Sequence, residues 1–128
     1  MPRTSLQERK QVYHSESCRG NVVVNFYVNG KTVEGYFVDG DISSSKVVWG
    51  VVRTRNGTYR VRERDNTDTM VGKAKPELKS RTTKARTERE ALASMIRSIV
   101  RPYVKPREFS FPVDAKKLRE GLEAELLK

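Results

Sequence analysis

The stretch that most constrains the fold of this chain is residues 46–65, KVVWGVVRTRNGTYRVRERD. It contains two runs rich in β-branched and aromatic residues on either side of Asn56-Gly57. Asn and Gly tolerate the positive φ values that a two-residue type I′ turn requires, so the pattern predicts a β-hairpin. With these two residues as the whole loop, Arg55 lies opposite Thr58.

Side chains alternate between the two faces of a strand, so this register gives the hairpin two unlike faces. One face is mostly apolar and suited to a core; it carries Val48, Gly50, Val52, Thr54, Tyr59, Val61 and Glu63. The other face is cationic; it carries Trp49, Val51, Arg53, Arg55, Thr58, Arg60, Arg62 and Arg64. The sequence therefore predicts five arginines on one side of a ribbon, beside a single large aromatic ring.

A second hairpin signal, Asn29-Gly30, lies within residues 21–38, NVVVNFYVNGKTVEGYFV. With Val28 opposite Lys31, one face is strongly apolar; it carries Val22, Val24, Phe26, Val28, Val33, Gly35 and Phe37. Two such hairpins in succession predict a four-stranded antiparallel sheet with one buried face. We expect a short fifth strand near residues 79–84.

Capping boxes predict two helices. Ser5 with Glu8 predicts a short N-terminal helix with an apolar stripe at Leu6, Val12 and Tyr13. Thr87 with Glu90 predicts a longer helix near residues 88–101 that ends before Pro102. Its apolar stripe consists of Leu92, Met95, Ile96, Ile99 and Val100, and we expect this stripe to cover the buried face of the sheet.

The C-terminal part has its own pattern. Residues 102–113 contain three prolines and are predicted to be extended, with Phe109 and Phe111 as anchors. Asp114 is expected to cap a helix over residues 115–127, on which Leu118, Leu122 and Leu126 form one row. That row either packs back on its own domain or docks on a second copy or another protein.

Together these elements predict an α+β fold. The antiparallel sheet of four or five strands and the helix that packs on it occupy residues 1–105. Residues 106–128 form a C-terminal arm and a helical appendage.

The net charge of +10 is concentrated in one segment. Residues 51–107 hold sixteen Lys and Arg against six Asp and Glu, which accounts for the whole excess. Such concentration is typical of a protein with a polyanionic partner. Phosphate contacts are expected from the basic loop beside the sheet as well as from the hairpin, although a solvated connector is an equal alternative; the candidates in the loop are Lys73, Lys75, Lys79, Arg81, Lys84 and Arg86.

Several function classes lack the residues they need. No run approaches the ~20 apolar residues of a membrane-spanning helix, and the N-terminus has no apolar run typical of a secretory signal. The single cysteine, Cys18, favours a reducing compartment such as the cytoplasm, and His14 has no second histidine with which to complete a zinc site. We predict no cofactor and no enzymatic activity; a magnesium-dependent nuclease using Asp39, Asp41, Glu63 and Asp65 is the least favoured alternative.

The arginine chemistry points to nucleic acid. A guanidinium group pairs with phosphate oxygens through two donors and also fits the edge of guanine, and a two-stranded ribbon fits the major groove of duplex DNA. Trp49 either stacks on an unpaired base or belongs to the core, and the sequence leaves both options open.

The order of basic hairpin, loop and amphipathic helix in residues 48–101 resembles a known family. VVRTRNGTYRVRERD and TKARTEREALASM are similar to the strand pair and the strand-to-helix transition of the arm-type DNA-binding domain of phage tyrosine integrases. In that family a three-stranded sheet lies in the major groove, so the resemblance implies DNA contacts from Arg53, Arg55, Arg60 and Arg62. The first hairpin and the C-terminal helix have no counterpart there, and we expect no catalytic domain like that of an integrase.

Our prediction is therefore non-enzymatic binding of duplex DNA. One alternative is an RNA-binding protein. Another is a structural or assembly protein, for example of a virus particle, in which residues 106–128 join subunits.

Overall fold

The computed structural model describes residues 9–17, 22–40, 43–69, 72–73, 77–105 and 113–128. These residues form an α+β fold with an antiparallel sheet and two helices. The strands are β1 (Lys10–Ser17), β2 (Val22–Asn29), β3 (Thr32–Asp39), β4 (Ser43–Arg53), β5 (Tyr59–Thr69), β6 (Gly72–Lys73) and β7 (Glu77–Thr82). The helices are α1 (Glu88–Val104) and α2 (Ala115–Leu126).

The sheet has more strands than the predicted four or five. β1 to β5 pair in sequence order, and β5 then pairs with the two-residue β6 at one end and with β7 along its other half. Within the described residues the sheet thus has six strands of six residues or more, plus β6. The predicted hairpins and the α+β class are confirmed, and the fifth strand expected near residues 79–84 is β7.

β1 replaces part of the predicted N-terminal helix. Val12 and Tyr13 belong to this strand, which pairs with β2, and the Tyr13 ring packs edge-on against Phe26 at 6.2 Å between centroids. A short isolated helix is marginal in water, whereas a strand beside β2 gains backbone hydrogen bonds on both sides of an irregularity at Val12. Ser5 to Glu8 lie outside the described residues.

The first hairpin turns one residue later than predicted. Asn29 pairs with Thr32, so the loop is Gly30-Lys31, and Gly30 has φ +65°. The loop still contains two residues, so the shift leaves each side chain on its expected face. The predicted apolar face is therefore confirmed, with Val24, Phe26, Val28, Val33 and Phe37 buried.

In the second hairpin the predicted two-residue turn is wrong. Arg53 pairs with Tyr59, and the Thr54 amide donates to the Thr58 carbonyl at 2.8 Å. The loop therefore has three residues and ends at Gly57, which has φ +82°. A three-residue loop that ends on a left-handed glycine is a common hairpin form. Because the loop is one residue longer than predicted, every side chain of β4 moves to the other face relative to β5.

The helix-facing side of β4 is consequently the one that contains Trp49. Val47, Trp49 and Val61 are buried beneath the helices, and the Trp49 ring stacks on Phe26 with 6.0 Å between centroids. Gly35 makes room for this stack, because a Cβ there would approach the Trp49 ring to 3.0 Å. The alternative in which Trp49 is a core residue is the one that the structure supports.

Helix α1 covers this side of the sheet as predicted. Its cap is confirmed, since the Glu90 amide donates to Thr87 Oγ1 at 3.2 Å, and the whole predicted stripe from Leu92 to Val100 is buried. The helix does not end before Pro102 but continues to Val104. Its last turn is held by Tyr103, whose ring packs edge-on against Phe26 at 6.5 Å between centroids. This packing offsets the helical hydrogen bond that is lost because Pro102 has no backbone N–H.

Helix α2 packs back on its own sheet and on α1. Asp114 caps it, accepting from the amides of Lys116 and Lys117 at 3.1 and 3.2 Å. Leu118 and Leu122 are fully buried in the same core as the α1 stripe.

A division of the chain after residue 105 stays a prediction, and Phe109 and Phe111 lie outside the described residues. Neither of the described helices is long and apolar enough to cross a bilayer.

Candidate nucleic-acid interface

The sheet face opposite the helices, here called the outer face, carries the arginines of β5. Arg60, Arg62 and Arg64 lie in one row on this face and are exposed. Successive members are about 7 Å apart along the strand, because same-face residues repeat every second position. We call these three residues the arginine row.

The other two predicted hairpin arginines do not belong to this row. The observed register places Arg53 opposite Tyr59, in the row of Trp49 and Val51 on the helix side of the sheet, and Arg55 is in the loop. The prediction that five arginines share one face with Trp49 is therefore wrong. Its cause is the turn, which is one residue longer than predicted.

Arg53 and Arg55 nevertheless reach the arginine row at the end of the hairpin. A surface depression of about 420 Å³, here called the tip depression, is lined by Arg53, Arg55, Arg60, Arg62 and Ser80. Arg53 is the last residue of β4, so its exposed side chain lies beyond the part of the sheet that the helices cover. Four of the five predicted arginines therefore line one concave surface, although they come from different rows.

On the β2–β3 half of the outer face, two cations share one carboxylate. Glu34 is the centre of a cluster there: its carboxylate lies 3.7 Å from Arg9 Nε and 3.9 Å from Lys46 Nζ, and accepts from the Tyr36 hydroxyl at 2.7 Å. Burial, followed by this hydrogen bond, raises the pKa of Tyr36. Arg9 also lies over the Tyr27 ring, 3.9 Å from its centroid. The cations on this half already have partners.

The β5 half differs because its arginines have no such partners in the part of the chain that the structure describes. In the described part of the chain, no carboxylate forms an ion pair with Arg60, Arg62 or Arg64, nor with Arg53 or Arg55. Uncompensated cations raise the local potential and attract a polyanion. The described outer face thus divides into a half whose cations share an acidic partner and a half whose cations have none.

The basic residues predicted to contact phosphates from the loop lie in different places. Lys79 pairs with Glu63 in the β5–β7 ladder, but its side chain is outside the described part of the structure. Arg81 is on the helix side, where its Nη2 donates to Ser94 Oγ at 3.1 Å and also to Ser98 Oγ. Lys84 and Arg86 are exposed in the segment between β7 and α1. Lys75 and the side chain of Lys73 fall outside the described residues.

The four carboxylates of the nuclease alternative are not seen together. Glu63 lies on the helix side and accepts from the Trp49 indole at 3.2 Å, whereas Asp39 ends β3 on the far side of β4. Asp41 is outside the described residues. Among the residues described, no group of three or more His, Cys, Asp and Glu side chains is placed to hold a metal ion.

A second group of arginines, which was not predicted, lies on the helix side of the sheet. Arg97 and Arg101 on α1, and Arg119 on α2, share a cleft with Arg81. The signal for the first two was present in the sequence, because residues four apart lie on one face of a helix.

Comparison of the chain with models of known protein families, with curated proteins and with solved structures finds no match.

Proposed function

We propose that this protein is a non-enzymatic nucleic-acid-binding protein that holds duplex DNA against the arginine row and the tip depression. The observation that carries the proposal is that Arg60 and Arg62 have no acidic partner among the residues that the structure describes; both belong to the arginine row and to the tip depression. Arginine pairs with phosphate through two parallel donors, so an exposed and uncompensated row suits a phosphodiester backbone.

The aromatic residues favour a duplex over a single strand. Proteins that bind single strands stack the bases on accessible aromatic rings. Trp49 is buried beneath the helices, and Arg9 lies over the rings of Tyr27 and Tyr36. The arginine row therefore has no free aromatic ring beside it on the described outer face, and backbone contacts are left as the main source of affinity.

The resemblance to the integrase arm-type domain adds a binding geometry to the proposal. β4, β5 and β7 form three antiparallel strands that are followed by α1, which is the element order of that domain. In that family the sheet lies in the major groove. Here the corresponding face would be the outer face, so the resemblance favours placing Arg60 and Arg62 against the phosphates that border the groove.

The decisive experiment is a titration of labelled duplex DNA across a salt series. We expect the logarithm of the association constant to fall linearly with the logarithm of salt concentration, with a slope of about −0.9 per neutralised phosphate. The double variant Arg60→Ala, Arg62→Ala should weaken binding at least tenfold and reduce the slope by about two phosphates. Both residues are exposed on the outer face, so the core is left intact.

A matched control separates this site from general charge loss. The double variant Lys116→Ala, Lys117→Ala also removes two positive charges, but from the first turn of α2, away from the outer face. Its affinity for duplex DNA should stay within about threefold of the wild-type value. Equal losses in both double variants would refute the proposed site. Duplex RNA and single strands complete the series, and a preference for either over duplex DNA would favour the RNA-binding alternative.

A further inference from the structure

A second concave surface lies on the helix side of the sheet, between the edge strand β7 and the two helices. This cleft has a volume of about 470 Å³. Four arginines from three elements contribute to it, together with two serines of α1: Arg81, Arg97, Arg101, Arg119, Ser94 and Ser98. Its volume is in the range of sites that hold small molecules, about 300–1,000 Å³, and exceeds what a single ion needs.

Among the residues that the structure describes, the cleft carries positive charge without acidic compensation. Its described lining contains no carboxylate, and no described ion pair involves any of its four arginines. Arg97 and Arg101 are also four residues apart on α1, where like charges destabilise a helix. Stability alone would not favour this arrangement, but an anionic ligand would relieve the repulsion.

One of the four guanidinium groups is already fixed in position. Arg81 Nη2 donates to Ser94 Oγ at 3.1 Å, to the Ser94 carbonyl at 3.4 Å and to Ser98 Oγ. These acceptors are neutral, so they orient the guanidinium group and leave its charge uncompensated. The N–H groups on Nε and Nη1 make no bond within the described structure, and a guanidinium fork of this kind matches the oxygens of a phosphate.

We propose that this cleft is a binding site for a chain of phosphate groups, separate from the outer face. Four guanidinium groups around one cavity suit several linked phosphates better than a single one, and planar bidentate pairing favours phosphate over a spherical anion. Ser80 lines the tip depression and Arg81 lines the cleft, so strand β7 lies between the two sites. The phosphates come either from a free polyphosphate compound or from a nucleic-acid backbone.

The test is calorimetric titration of the full chain with sodium tripolyphosphate. Measurements in the Arg60→Ala, Arg62→Ala background remove the contribution of the outer face. We expect binding to persist in that background and to weaken at least tenfold when Arg97→Ala and Arg101→Ala are added. Both positions are exposed and alanine favours a helix, so the fold is retained. Lys116→Ala, Lys117→Ala is the control and should change affinity less than threefold.

Two results would overturn the proposal: absence of tripolyphosphate binding in the Arg60→Ala, Arg62→Ala background, or an equal loss in the lysine control. The source of the phosphates follows from the duplex DNA titration. If Arg97→Ala, Arg101→Ala also lowers the salt slope by about two phosphates, the cleft holds nucleic-acid backbone. If the DNA curve is unchanged while tripolyphosphate affinity is lost, the ligand is a free polyphosphate compound. The tripolyphosphate results do not depend on whether the arginine row binds DNA.

Discussion

The indole nitrogen of Trp49 donates a hydrogen bond to the carboxylate of Glu63, its direct partner across the β4–β5 ladder, at 3.2 Å. The pair lies on the helix side of the sheet, where Trp49 is only 7% exposed. A buried indole N–H that loses its acceptor keeps its desolvation cost, so this bond matters more to stability than an exposed one.

We therefore expect Glu63→Leu to destabilise the protein by about 1–3 kcal/mol, because it leaves the indole N–H without an acceptor. Glu63→Gln removes the same charge but keeps a carbonyl oxygen, and it should cost less than about 1 kcal/mol. Urea unfolding followed by Trp49 fluorescence measures both variants. Equal stability of the two would mean that the bond contributes nothing.

At Gly121, helix α2 lies close to the backbone of β1. A Cβ at this position would lie 2.6 Å from the Val12 carbonyl oxygen, so Gly121→Ala forces one of the two elements to move. The gain in helix propensity is about 1 kcal/mol, whereas overpacking costs about 1–3 kcal/mol. We expect net destabilisation in thermal unfolding.

Gly50→Ala is the control for this variant, because a Cβ at Gly50 meets nothing within 4 Å. It should be neutral or slightly stabilising. A Gly121→Ala protein more stable than wild type would contradict the close approach of α2 to β1.

Tyr103 gives the stability of the protein a dependence on alkaline pH. Burial, with the negative charge of Glu63 as a second cause, raises the pKa of its phenol to about 12. The folded pKa exceeds the unfolded value of about 10, so the contribution is complete below pH 10 and is lost as the pH rises from about 10 to about 12.

Tyr103→Phe removes this ionisation. Between about pH 8 and pH 11 the wild type should lose about 1 kcal/mol more unfolding free energy than the variant. The pH-independent cost of removing the hydroxyl cancels in this difference, which denaturant titrations at the two pH values provide. Parallel pH profiles would show that the phenol is not held neutral.

Glu125 on α2 and Lys10 on β1 connect the two elements, and their contribution to stability should depend on acid pH. The hydrogen bond from Lys10 Nζ, at 3.1 Å, is the main reason that the pKa of Glu125 is lowered. A lowered folded pKa means that the stabilisation is present above the ordinary value of 4.5 and is lost as the pH falls through the folded value.

Lys10→Met should therefore return the pKa of Glu125 towards its ordinary value, as measured by NMR titration of the carboxyl carbon. Lys128→Met tests the more distant lysine, whose Nζ is 3.4 Å from the same carboxylate, and should have a smaller effect. A larger shift in Lys128→Met than in Lys10→Met would reverse this assignment.

The parts of the fold that the sequence predicts are those that local patterns determine. Thr87 and Asp114 begin helices because their side chains satisfy free backbone amides, whatever the helix packs against. The buried face of the first hairpin was predictable although the loop lies one residue later than expected. Because the loop still has two residues, each side chain stays on its predicted face. β1 was not predictable from local pattern, because its hydrogen-bond partners lie on β2.

The second hairpin shows how a single loop residue changes a predicted site. Asn56-Gly57 fits a two-residue turn, but the same glycine also fits the last position of a three-residue loop. Burial of Trp49 distinguishes the two registers, since a lone tryptophan is mostly buried and only the longer loop places it with Phe26. The cleft formed by β7, α1 and α2 was beyond sequence analysis, because Arg81, Arg97 and Arg119 meet only through tertiary packing.

Strand β7 is an edge strand, with a described neighbour on one side only. Such an edge is a template on which a second copy can add its own strand, and charged side chains are one means by which proteins prevent this. Arg62 lies next to one face of β7, and Arg81 lies on the other face. Both side chains would repel the corresponding arginines of an approaching second copy. The arginines proposed to hold phosphates are therefore also a barrier to self-association through this edge.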